Sequence, residues 1–98
     1  MRVRILAAAE KYLEDGYRFY ERQSPGLGSY FLDSLYSDID SLTYFAGIHR
    51  LVFGYHRLLS KRFPFAVYYQ IAEDIGVVKA VLDCRRNPSW IRERLMKG

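Results

Sequence analysis

The chain has 98 residues, of which 50% are hydrophobic and 16% aromatic, enough for one modest core and too apolar for a disordered segment. A lone cysteine, Cys84, excludes an internal disulfide and suits a reducing cytosol. The net charge of +4 is unevenly divided: residues 1–48 carry five Lys/Arg against seven Asp/Glu, whereas residues 49–98 carry ten against four.

One domain over residues 1–98 is the expectation from this length. Its second half should present a positive surface, suited to nucleic acid or to an acidic protein, unless those charges are merely solvated. The opening "MRVRILAAAEKYLEDG" has too short an apolar run for a signal peptide. No stretch approaches the roughly 20 apolar residues of a membrane span, so a cytoplasmic protein without membrane contact is expected.

In chain order, "RVRIL" alternates Val3 and Ile5 with Arg2 and Arg4, the period of a half-buried strand. From Ala7 the period becomes helical, with Ala9, Tyr12, Leu13, Gly16, Tyr17, Phe19 and Tyr20 on one stripe. Ser24-Pro25 reads as a break and a fresh start, the serine as N-cap and the proline in the first turn. A second helix is expected from Pro25 to Phe45, with Phe31, Leu32, Leu35, Ile39, Leu42 and Phe45 apolar and Gly47 as its stop. The short link makes the two a helical hairpin, which needs a sheet to cover its apolar side.

"YHRLLSKRF", "FAVYYQIA" and "GVVKAVLDC" supply that sheet as a meander. In the second run Val67, Tyr69 and Ile71 alternate with Tyr68, Gln70 and Ala72. In the third, Val78, Ala80 and Leu82 alternate with Val77, Lys79 and Val81. Arg57 and Lys61, four apart, would face the same way along the first run. After Pro88, "SWIRERLM" reads as a terminal helix. The fold class is α+β, in the order β-α-α-β-β-β-α, with the hairpin packed on an antiparallel sheet.

Templates for catalysis mostly fail. There is no CxxC, HExxH or GxSxG, and His49 and His56 read as surface or sheet residues. "GLG" at 26–28 lacks the ending of a phosphate loop and reads as turn and first-turn glycine. What stands out is the basic set Arg57, Lys61, Arg62, Arg85, Arg86, Arg92, Arg94 and Lys97. Arg85 and Arg86 follow the last strand directly. They either grip phosphate or carboxylate at the sheet's rim or pair structurally with acidic residues of the helices. Trp90 could pack back on the sheet and direct them, or serve only as a core anchor.

"ERQSPGLGSYFLDSL", "KRFPFAVYYQI" and "AVLDCRRNPSWIRERL", in that order, resemble the RelE/ParE superfamily of bacterial toxin–antitoxin toxins over nearly the whole chain. The resemblance implies two helices on an antiparallel sheet, no cofactor and no small-molecule substrate. It also implies a growth-inhibiting toxin held inactive by a cognate antitoxin, with operator DNA reached only through that complex. The superfamily's ribosome-dependent mRNA endonucleases use basic residues across the sheet and a C-terminal tyrosine. Here Ala66 falls where a catalytic arginine would stand, and Trp90 or Ile91 where the tyrosine would. Arg85 matches a nuclease arginine, and Arg57 and Lys61 match other basic positions. The pattern is therefore closer to the ParE branch, which poisons DNA gyrase without nuclease chemistry. The target surface is then expected at Arg85, Arg86, Trp90, Arg92 and Arg94, and antitoxin contacts at Lys61, Arg62, Tyr68 and Arg85. A ribosome-dependent nuclease, and a decayed toxin that only binds antitoxin, are the alternatives.

Overall fold

A computed structural model describes residues 1–97. The chain order is β1 (Arg2–Ile5), α1 (Ala7–Gln23), α2 (Leu27–Asp40), α3 (Leu42–Phe45), β2 (Leu51–Val52), β3 (Tyr55–Leu59), β4 (Phe65–Ala72), β5 (Ile75–Asp83) and α4 (Pro88–Met96). The expected order holds, with a short α3 and a two-residue β2 added. The five strands form one sheet in the order β1-β5-β4-β3-β2. It is antiparallel from β2 to β5 and takes β1 in parallel beside β5, because the α1–β4 chain between them forms the crossover. No helix is long and apolar enough to cross a membrane.

The α1–α2 turn is built differently from the expected serine cap. Ser24 closes α1, its N–H donating to the Tyr20 carbonyl, and α2 starts at Leu27 behind Gly26, whose φ of +88° favours glycine. The free amides are capped by Glu21, whose carboxylate accepts from Gly26 N (3.0 and 3.2 Å) and Gly28 N (3.0 Å). Gly28 also allows the two helices to approach, since a Cβ there would lie 2.6 Å from the Tyr17 carbonyl oxygen. The expected second helix is interrupted at Ser41, whose hydroxyl donates to the Asp38 carbonyl (2.6 Å), and Gly47 follows with φ +99°.

Two apolar clusters lie on opposite sides of the sheet. On the hairpin side, Ala9, Leu13, Tyr20, Phe31, Leu35, Ile39 and Leu42 meet Phe65, Val67, Tyr69, Val78 and Val81. Tyr20, Phe31, Phe63 and Phe65 form an aromatic knot with ring centroids from 4.9 to 6.2 Å apart, so both phenylalanines around Pro64 reach the hairpin. On the other side Ala66, Tyr68, Ala80 and Leu82 are roofed by Ile91 and Leu95 of α4.

Simple alternation misassigns β5. Tyr68 pairs with Ala80 but Tyr69 pairs with Val78, so Lys79 is an extra, bulged residue. The bulge reverses the phase: Val78 faces the hairpin, while Ala80 and Leu82 face α4. Likewise β3 ends at Leu59, and Lys61 and Arg62 lie exposed in the bend before β4. Arg57 and Lys61 therefore do not share a strand face.

Candidate functional site

The last strand hands over to α4 through "DCRRNPSW", and local chemistry accounts for each step. The Asp83 carboxylate takes the Arg85 guanidinium in a fork, Nε to Oδ1 at 3.0 Å and Nη2 to Oδ2 at 2.7 Å, and also accepts the Arg85 amide at 2.8 Å. These hydrogen bonds hold the Asp83 carboxyl below its usual range, against a smaller opposing effect of burial. The Tyr20 phenol on α1 lies close enough for Arg85 to offset part of the rise that burial imposes on it. Arg85 thus ties the strand end to itself, with the Tyr20 phenol of α1 nearby. Its partner is a strand carboxylate and not the helix acids the sequence suggested.

Asn87 then caps α4, its Oδ1 accepting from Ser89 N (2.9 Å) and Ser89 Oγ (2.6 Å), with Pro88 in the first turn. Ile91 and Leu95 point to the sheet and Trp90 lies half-buried beside them. The Arg86 guanidinium carbon sits 4.0 Å from the Trp90 ring centroid and that of Arg94 4.9 Å from it. The indole therefore both anchors the helix and positions two cations. Arg92 is exposed on the outer side of α4.

Between α1, the end of the sheet and α4 lies a cleft of about 420 Å³. Tyr12, Asp15, Gly16 and Phe19 line it from α1, Phe65, Val81, Leu82 and Asp83 from the sheet, and Arg86, Trp90 and Arg94 from beyond it. Of the sequence-expected target residues, Arg86, Trp90 and Arg94 converge here, and Arg85 stands next to them, held by Asp83. The α1 contribution was not legible, because Phe19 reads as core and is 49% exposed.

The residues named for the alternative nuclease reading are placed differently from one another. Arg57 lies on β3 opposite Tyr68, Lys61 is off the strand, and Arg85 is engaged by Asp83. Tyr68 is 2% exposed beneath α4, so it offers no contact surface to an antitoxin, and its reading as such a contact is corrected. Burial raises its phenol, as it raises the nearby Cys84 thiol, and Arg57 only partly offsets both. Both groups therefore stay neutral near pH 7.

A second polar cluster escaped sequence reading. The hydroxyl of the fully buried Tyr69 accepts from Gly47 N (2.9 Å) and pairs with His49 Nδ1. His56 stacks on the Tyr69 ring (5.1 Å, 24°) and donates from Nδ1 to the His49 carbonyl (2.7 Å). Burial, then His56, pull the His49 imidazole below its ordinary value. The cluster pins residues 47–49 to the sheet.

No protein-family model matches the sequence, and no curated protein matches it. The structure does match a chain of a solved structure, "Chromosomal ParDE TA system from P. aeruginosa", with a TM-score of 0.76 over 83% of this chain and 92% of that chain. The sequence identity is 19%, so the likeness is one of fold. The α+β, ParE-like architecture that the resemblance implied is the architecture this chain has.

Proposed function

We propose that the chain is the toxin of a type II toxin–antitoxin pair, acting in the cytoplasm by binding a protein target and neutralised by a cognate antitoxin. DNA gyrase is the target by the ParE resemblance. The observation that carries this reading is the α4 roof. Cleaving RNA through this sheet would need exposed groups to transfer protons and to stabilise charge on the phosphorane. The face concerned instead carries Ala66, Tyr68, Ala80 and Leu82 packed under Ile91 and Leu95. Beside that roof, Arg86 and Arg94 stand on Trp90 at the mouth of an aromatic-lined cleft, an arrangement suited to anchoring a protein partner. Lys61 and Arg62, both exposed, stay as proposed antitoxin contacts together with Arg85.

The test separates site from mechanism. The purified chain should inhibit supercoiling by gyrase or accumulate cleaved DNA, and Arg86→Ala should abolish both while leaving antitoxin binding intact. Codon-linked cleavage of mRNA on programmed ribosomes, lost in an Arg57→Ala variant, would instead establish the nuclease.

A further inference from the structure

We infer that the chain itself carries a nucleic-acid-binding surface, on the margin of the sheet between β1 and the C-terminal end of α4. Val3 and Ile5 of β1 pack into the hairpin-side core, so by strand alternation Arg2 and Arg4 project on the α4 side, both exposed. The register sets Arg2 against Ile75 and Arg4 against Val77, in a part of the sheet that lies beyond the residues packed under α4. Next to them Lys79, displaced by the β5 bulge, joins Arg94 and Lys97 around a shallow depression of about 300 Å³.

Five cations thus border one open surface. None is neutralised: among the described residues the ion pairs are Arg18–Asp15 and Arg85–Asp83. Glu73 and Asp74 in the β4–β5 turn and Glu93 on α4 are exposed and, among the described residues, make no ion pair with these cations. Separate cations spread over an open surface suit a chain of phosphates better than a single carboxylate, which calls for an enclosed fork. An acidic protein segment would also need apolar anchorage. Beside these cations the exposed apolar side chains are the unbranched Met1 and Met96; Ile71 of β4 alternates with Val67 and Tyr69 on the hairpin side, and Leu51, Phe53 and Leu59 lie towards the opposite edge, on and around β2 and β3. The occupant is therefore a phosphate backbone, and contact with DNA does not have to pass through an antitoxin. This inference does not depend on which target the toxin reading assigns.

The test is fluorescence anisotropy with the isolated chain and labelled duplex DNA, single-stranded DNA, RNA and poly-glutamate, across a salt series. Arg4→Glu with Lys97→Glu reverses two cations of the margin, neither of which makes a side-chain hydrogen bond or ion pair among the described residues. Arg18→Glu with Arg22→Glu makes the same change of net charge on α1. The margin variant should lose about tenfold or more in nucleic-acid affinity at moderate salt, and its log–log salt slope should shrink by about 2. The α1 variant should keep the parent slope and lose no more than about twofold. The tightest of the three nucleic acids identifies the polymer. Equal losses in the two variants, no binding by the parent at low salt, or tighter binding of poly-glutamate would each overturn the inference.

Discussion

The two sides of the sheet are built to different standards. The hairpin side interlocks α1 and α2 with β4 and β5 through large buried side chains, and the exterior of its helices carries most of the chain's acidic residues. The α4 side is covered by one nine-residue helix held by Ile91, Leu95 and part of Trp90, over a floor that includes two alanines. The cations of the sheet margin belong to that second side, and the aromatic cleft opens between the two, lined by α1 as well as by α4. The first side holds the fold, and the second can move or dock at modest cost, as expected of surfaces that engage partners.

Substitutions should separate the two sides. Leu35→Asp buries a carboxylate at a fully buried position of the hairpin side, and the loss of several kcal/mol should abolish the cooperative melt. If Leu35→Asp melted within a degree or two of the parent, the hairpin would not be the foundation of the fold. Leu95→Ala, on the other side, should cost about 2–4 kcal/mol, concentrated on α4. Trp90 fluorescence should then change at lower denaturant than the far-ultraviolet circular dichroism of the hairpin and sheet. Coincident transitions would mean that the sides unfold as one unit.

Glu21→Ala removes the carboxylate that caps α2 and should cost about 1 kcal/mol, read as a lower denaturation midpoint at unchanged slope. Arg86→Ala should cost about 0.5–1 kcal/mol at most, because only a surface contact with Trp90 is lost, yet it should remove growth inhibition. Arg85→Ala is the informative partner: it frees Asp83 and should loosen the strand end more than Arg86→Ala does. Equal growth inhibition by parent and Arg86→Ala would move the toxic surface elsewhere.

The smallest effect concerns pH. The folded His49 titrates below its ordinary value, so the unfolded chain takes up its proton first as pH falls. The contribution is therefore present above about pH 6.5 and is lost as pH falls from there through the folded value. Protonated His49 can pair with Tyr69 only as a donor. The Gly47 amide should then exchange faster below pH 6.5, after correction for intrinsic exchange, while amides in the middle of β4 keep their protection. His49→Gln should remove this pH dependence.

Much of the architecture could be read from the chain. Residues with a clear period declared themselves: Leu13, Phe31, Leu35 and Ile39 by helical spacing, Val3 and Ile5 by alternation, α4 by the run that follows Pro88. Gly26 and Gly47 marked turns because few other residues hold a positive φ. The basic surplus of the second half and the place of Arg86, Trp90 and Arg94 beyond the last strand were also plain in the sequence.

What the sequence did not show depends on how the chain is turned and packed in three dimensions. Whether Arg85 grips a ligand or a neighbour was decided by Asp83, two residues away and turned towards it only by the geometry of the strand end. The bulge at Lys79 left no mark in composition, yet it reverses the facing of half of β5, since side-chain direction follows pairing register. Tyr68 and Tyr69 are identical neighbours, and only the elements above and below them make one a floor for α4 and the other an anchor for His49. Local chemistry determined which segments became helix, strand and turn. Tertiary packing decided which of their polar groups were used up inside the protein and which stayed free to act.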